Sequence, residues 1–100
     1  MSSNNLNYEL SKQLKELGVE FENISTQFNN QKGEIIDSPT TAQLINEIAK
    51  RTWFDLSLDE DAHEFDIDVL HAGVVSDPCC TTALGKALIN LVKNEKENGR

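Results

Sequence analysis

Two short runs in the middle of the chain alternate apolar and polar residues with a period of two. In the first, Phe54, Leu56 and Leu58 alternate with Trp53, Asp55 and Ser57; in the second, Phe65, Ile67 and Val69 alternate with Glu64, Asp66 and Asp68. Successive side chains of a β-strand point to opposite faces, so the pattern demands a sheet with one buried and one wet face. The stretch between the runs, Asp59 to Ala62, is short and polar, which makes the pair an antiparallel hairpin. It lacks the Asn-Gly signal of a tight two-residue loop. The apolar face must then be covered from elsewhere in the chain.

Helices supply that cover. In LNYELSKQLKELG, Leu6, Leu10, Leu14 and Leu17 recur at helical spacing with Lys12, Lys15 and Glu16 off the stripe. Asn5 or Asn7 can cap the start, and Gly18 followed by Val19 suits a left-handed helix end with its apolar contact. SPTTAQLINEIAKR reads as a second helix, with Ser38 as N-cap, Pro39 at the first helical position and Leu44, Ile45, Ile48 and Ala49 on its apolar face. TTALGKALINLVKN closes the chain as a third, striped by Leu84, Ala87, Leu88, Leu91 and Val92. Between the first two helices, Val19, Phe21 and Ile24 are strand-like, NNQKG is turn chemistry, and Glu34 to Ile36 can return, giving a loose first hairpin. The segment HAGVVSDPCC reads as a loop holding Gly73 and Pro78.

The expected fold class is therefore α+β in the order α-β-β-α-β-β-α, a small antiparallel sheet from two hairpins covered by helices. Two layers are the minimal packing; an α-β-α sandwich results if the first helix crosses to the far side. One hundred residues form a single domain, residues 1–100, with 1–5 and 95–100 as flexible tails.

Charge is distributed unevenly. From Asp55 to Asp77 the chain carries eight carboxylates and no Lys or Arg, whereas the remainder has nine acidic and nine basic residues. The formal net charge of −8 thus resides wholly in the main hairpin and the segment after it. Such acidity argues against direct nucleic-acid binding, which requires a basic patch. No apolar run reaches the roughly 18 residues of a membrane span, and MSSNNLNYEL has neither part of a secretory signal. Cys79 and Cys80 are adjacent and cannot staple distant segments, so a soluble, cytoplasmic protein is expected.

The second half resembles a pattern of small phage and prophage proteins. Its matching residues are Pro39-Thr40-Thr41 with Leu44-Ile45, then Trp53-Phe54-Asp55-Leu56, then Thr81-Thr82-Ala83-Leu84-Gly85-Lys86-Ala87-Leu88. In these a Pro-Thr helix start precedes an aromatic and acidic hairpin, and a short Ala-Leu helix follows. The chain looks like the phage α-β-α sandwich type of domain. The adjacent cysteines and the VVSDPCC approach depart from that pattern. The resemblance implies a phage or mobile-element origin and supplies no catalytic residues.

Three readings fit the carboxylates: a solvated face neutralised by lysines from elsewhere, a docking surface for a basic partner, or a divalent-cation site. The partner could be a nucleic-acid-binding protein of host or phage whose DNA site is mimicked or masked. DEDAHEFD lacks the glycine of a calcium loop, and His63 and His71 offer no zinc spacing, so no metal and no cofactor are expected. The histidines read as turn and strand-end residues. Cys79 and Cys80 read as small buried hydrophobes, although a thiol at a helix start can become reactive. The function expected is non-enzymatic, protein–protein contact through the acidic hairpin face, carried by Trp53, Asp55, Glu64, Asp66 and Asp68. The alternatives are a metal- or thiol-dependent enzyme using the Asp/His cluster or Cys80, and a homodimer built on an uncovered strand edge or the Trp53 face.

Overall fold

The computed structural model describes residues 5–22, 24, 26–29, 31–70 and 72–97. Its elements are α1 (Tyr8–Glu16), β1 (Gln27–Asn29), β2 (Ile35–Asp37), α2 (Thr41–Arg51), β3 (Phe54–Asp59), β4 (Glu64–Val69), β5 (Gly73–Asp77) and α3 (Cys80–Glu97). The α+β class and the order of helices and hairpins are as expected, with one strand more.

The boundaries of α1 follow from its caps. Asn7 Oδ1 accepts the Leu10 N–H at 3.0 Å. At the other end Gly18 takes φ +84°, and the Gly18 and Val19 N–H groups return to the Lys15 and Leu14 carbonyls, both at 3.0 Å. That bonding satisfies the last carbonyls and buries Val19 against the helix it ends. Val19 is therefore spent on the cap and starts no strand, and β1 begins only at Gln27. Tyr8 meets Phe28 of β1 edge-on, with ring centroids 5.5 Å apart.

The cap of α2 is Thr40, not Ser38. Thr40 Oγ1 accepts the Gln43 N–H at 3.2 Å while Gln43 Oε1 accepts the Thr40 N–H at 2.8 Å, a reciprocal capping box. Ser38 is buried and donates instead to the Leu6 carbonyl at 2.7 Å, an acceptor it shares with Ser11 Oγ at 3.3 Å. The Leu6 N–H in turn reaches the Pro39 carbonyl at 2.9 Å, and Asn5 bridges Thr40. Asn5 is thus tied to the body, and α3 runs through Glu97, into the stretch expected as tail. Residues 1–4 and 98–100 of those tails lie outside the described residues.

Two sheets form rather than one. β1 and β2 make a separate antiparallel pair leaning on α1, while β3-β4-β5 make a three-stranded antiparallel sheet. β5 occupies the segment expected as a loop. Helix α3 lies at the centre, packed against β4 and β5 on one side and against α1 and α2 on the other. Its buried residues run almost all round, from Thr81 through Leu84, Leu88 and Ile89 to Val92, leaving a polar strip at Lys86, Asn90 and Lys93. A helix apolar on nearly every side is a core helix. Leu6 fills the notch at Gly85, where a Cβ would overlap its methyl groups. Thr41 and Thr81 share a hydroxyl hydrogen bond, and Arg51 pairs with Glu95 at 2.7 Å, joining α2 to both ends of α3.

The three-stranded sheet is covered on one face only, which is the two-layer arrangement; no described helix crosses to its far side. Ile67 and Val69 of β4 are enclosed beneath α3, but Leu56 and Leu58 of β3 stay 39% and 55% exposed. The expected burial of β3 therefore ends at Phe54, which is half-buried, because α3 spans β4 and β5 and stops short of the edge strand. No helix among the described residues is long and apolar enough to cross a membrane.

Candidate functional site

The register of the sheet decides which side chains meet. β3 pairs with β4 so that Asp55 faces Asp68, Ser57 faces Asp66 and Asp59 faces Glu64. β5 continues the same face, with Val74 opposite Asp68 and Ser76 opposite Asp66. One pair beyond the strand, the Leu70 N–H donates to the Trp53 carbonyl at 3.1 Å, which sets Trp53 opposite Leu70. All five residues singled out from the sequence thus lie on the outer face, turned away from α3.

They are strung along the face and do not form one cluster: Trp53 lies opposite Leu70, then come Asp55, Asp68 and Val74, then Asp66 and Ser76 beside Ser57. Glu64 lies at the turn, roughly 20 Å along the strand from Trp53 at about 3.4 Å per residue. The indole is 65% exposed, and on the same face Leu70, opposite it, and Val74, on β5, are 47% and 63% exposed. An open apolar patch rimmed by carboxylates is the composition of a contact surface rather than of a lined cavity. Surface depressions of 590, 480 and 410 Å³ lie around α1, α2 and the first hairpin, lined by other described residues.

Leu70, Val74 and Ser76 escaped the sequence reading because β5 was expected as a loop. The signal was present: Val74 and Val75 are β-branched residues between Gly73 and Pro78, the punctuation of a short strand.

No lysine or arginine among the described residues relieves the charges on this face. Among the described residues the ion pairs join Glu47 to Lys50 and Arg51, Glu95 to Arg51, and Asp77 to Lys86. None reaches Asp55, Glu64, Asp66 or Asp68. Asp66 is instead held by the Ser76 hydroxyl, which donates to Oδ1 at 2.6 Å. Asp55 opposite Asp68, and Asp59 opposite Glu64, are like-charge cross-strand pairs, each a few tenths of a kcal/mol to about 1 kcal/mol unfavourable.

Asp77 belongs to the other face and to a different task. It accepts from Lys86 Nζ and from the Cys79 N–H, both at 2.9 Å, and so ties the end of β5 to the start of α3. Burial pushes its carboxyl upward, but those two hydrogen bonds and the lysine charge outweigh it and hold the group below the usual aspartate value.

The cysteines differ from each other. Cys80 is half-buried against the core, and that burial, then the neighbouring Cys79, pushes its thiol up. Cys79 is exposed rather than enclosed. The Thr82 hydroxyl and then the Thr82 N–H lower its thiol; the opposing influence of Asp77, expected from the sequence, is present but smaller. His63 sits in the turn with φ +56°, following Asp59, whose Oδ1 accepts the Asp61 and Ala62 N–H groups at 3.1 and 3.2 Å. His71 lies outside the described residues. Among those described, no three His, Cys, Asp or Glu side chains converge to hold a metal ion. Compared with protein-family models, curated proteins and solved structures, the chain matches none.

Proposed function

We propose that this chain is a non-enzymatic accessory protein of phage or prophage type that docks a basic protein of host or phage on the outer face of its sheet. The observation that carries this reading is an open indole on the same face as Asp55, Asp66 and Asp68, none of which is paired with a lysine or arginine among the described residues. Trp53 supplies a large rigid contact, and the carboxylates supply charge complementarity, which governs partner choice and association rate. A nucleic-acid-binding protein presents the matching surface, since its own phosphate site is basic. The like-charge repulsion within the sheet is relieved when such a partner arrives.

The test compares proteins retained from a host lysate by the wild type and by the triple variant Asp55→Asn/Asp66→Asn/Asp68→Asn. A basic protein held by the wild type, released by salt and absent from the variant supports the proposal. Identical sets, or nothing retained by either, removes it.

A second reading rests on Cys79, whose thiol is exposed and lowered by Thr82. A thiol-dependent activity would use this residue and not Cys80. Alkylation at neutral pH at the rate of an ordinary free thiol would dismiss it.

A further inference from the structure

We propose that β3 pairs with β3 of a second copy, antiparallel and about a two-fold axis at Leu56, to join two sheets into one of six strands. The proposal stands apart from the basic partner above and rests on the free edge of the sheet. β3 is the first strand in the order β3-β4-β5, and among the described residues nothing pairs with its outer side. Edge strands are usually blunted by charged side chains, lysine above all, by proline, a bulge or brevity. This one is six residues long, pairs with β4 without interruption and contains neither Lys nor Pro; its two charges, Asp55 and Asp59, both lie on the outer face and leave Phe54, Leu56 and Leu58 uncharged on the inner one. Its inner-face Leu56 and Leu58 lie open where α3 stops. The other edge differs: β5 is backed by α3, and its Val75 is half-buried.

Backbone direction restricts the register. The Trp53 carbonyl accepts from Leu70 of β4, so Trp53, Asp55, Ser57 and Asp59 turn their amides and carbonyls inward. Phe54, Leu56 and Leu58 turn theirs to the free edge. Only registers that set these residues opposite one another bond both strands, which also keeps the apolar side chains of the two copies on one face.

Charge then selects among them. An axis at Asp55 sets Asp55 against itself, and an axis at Ser57 sets Asp55 against Asp59. An axis at Leu56 sets Asp55 against Ser57, Phe54 against Leu58 and Leu56 against Leu56. It places no carboxylate opposite another and brings the exposed leucines together. Registers shifted further shorten the overlap. The outer faces of the two copies then run together as one acidic surface bearing two indoles.

An interface of one strand edge is small and belongs with weak complexes, so association is measured over a concentration series up to about millimolar. Sedimentation equilibrium is expected to show the mass rising from 11.2 kDa towards twice that value. Amide exchange at Phe54, Leu56 and Leu58 is expected to slow as concentration rises, while exchange at Asp55 and Ser57 stays slow throughout. Added salt strengthens this dimer, because each copy carries −8, whereas it weakens binding of a basic partner. Leu56→Lys, at an exposed position, places two ammonium groups at the axis and is expected to give a folded monomer by circular dichroism. Ser57→Lys faces Asp55 of the second copy and is expected to tighten the dimer, and Ser57→Asp to loosen it. A monomer at every concentration overturns the proposal. So does a dimer whose edge amides remain unprotected, or one indifferent to both changes at Ser57.

Discussion

The two faces of the β3-β4-β5 sheet are built from alternate residues of the same strands, yet they obey different rules. On the inner face, Ile67 and Val69 are closed beneath Leu84, Leu88 and their neighbours on α3, and the one carboxylate there, Asp77, has Lys86 as its counterion. On the outer face no carboxylate has a counterion among the described residues: Asp55 confronts Asp68, and the indole is 65% exposed. Stability therefore resides on one side of the sheet, and the other side is free to serve contact.

That contrast is sharpest where it is easiest to break. Leu88→Ala, in the fully enclosed middle of α3, is expected to cost about 2–5 kcal/mol in urea unfolding, because the cavity lies between layers that cannot both collapse into it. If Leu88→Ala costs no more than an outer-face change, the central placement of α3 is wrong. Gly85→Ala tests the other side of the same helix. Crowding Leu6 is expected to cost about 1–3 kcal/mol, against the roughly 1 kcal/mol that alanine returns in helix propensity. The combined change with Leu6→Ala should recover part of the loss, and strict additivity would contradict the contact.

On the outer face the sign reverses. Asp68→Asn removes a like-charge pair and is expected to raise stability by about 0.2–1 kcal/mol, with the gain shrinking as salt is added. A loss of stability would mean that Asp68 has a cationic neighbour after all. The smallest effect concerns Asp77. Its carboxyl is held below the unfolded value, so the stabilisation it contributes is present above an ordinary aspartate pKa of about 3.9 and fades as pH falls through the lower folded value. Asp77→Asn is expected to be less stable than wild type at neutral pH and equal to it in strong acid. A difference that persists below both values would assign the loss to packing instead of charge.

Much of this architecture is legible in the residue pattern alone. The Leu10 and Leu14 stripe, the Gly18 helix end and the two alternating arms of the main hairpin follow from spacing and from the left-handed backbone that glycine adopts freely. The α2 start is legible too, but Ser38 competes with the Thr40-x-x-Gln43 box as a capping signal and points two residues early. What spacing could not convey is reach. Alternation says that Leu56 and Leu58 share a face with Ile67, but not that α3 covers only β4 and β5. The same limit applies to the site. Parity assigned Trp53, Asp55, Asp66 and Asp68 to one face, whereas the neighbours that β5 adds depend on a strand hidden behind Gly73 and Pro78.

Trp53 is the only tryptophan in the chain, so its fluorescence reports on the outer face alone. Comparing quenching by caesium and by iodide tests the account most directly, because both reach an exposed indole while only the cation is drawn to Asp55, Asp66 and Asp68. At low salt, caesium is expected to quench beyond its neutral-site efficiency and iodide below it, with the asymmetry lost in the triple Asn variant. Equal relative efficiencies for the two ions in the wild type, or quenching by neither, would contradict an open indole on an unneutralised acidic face.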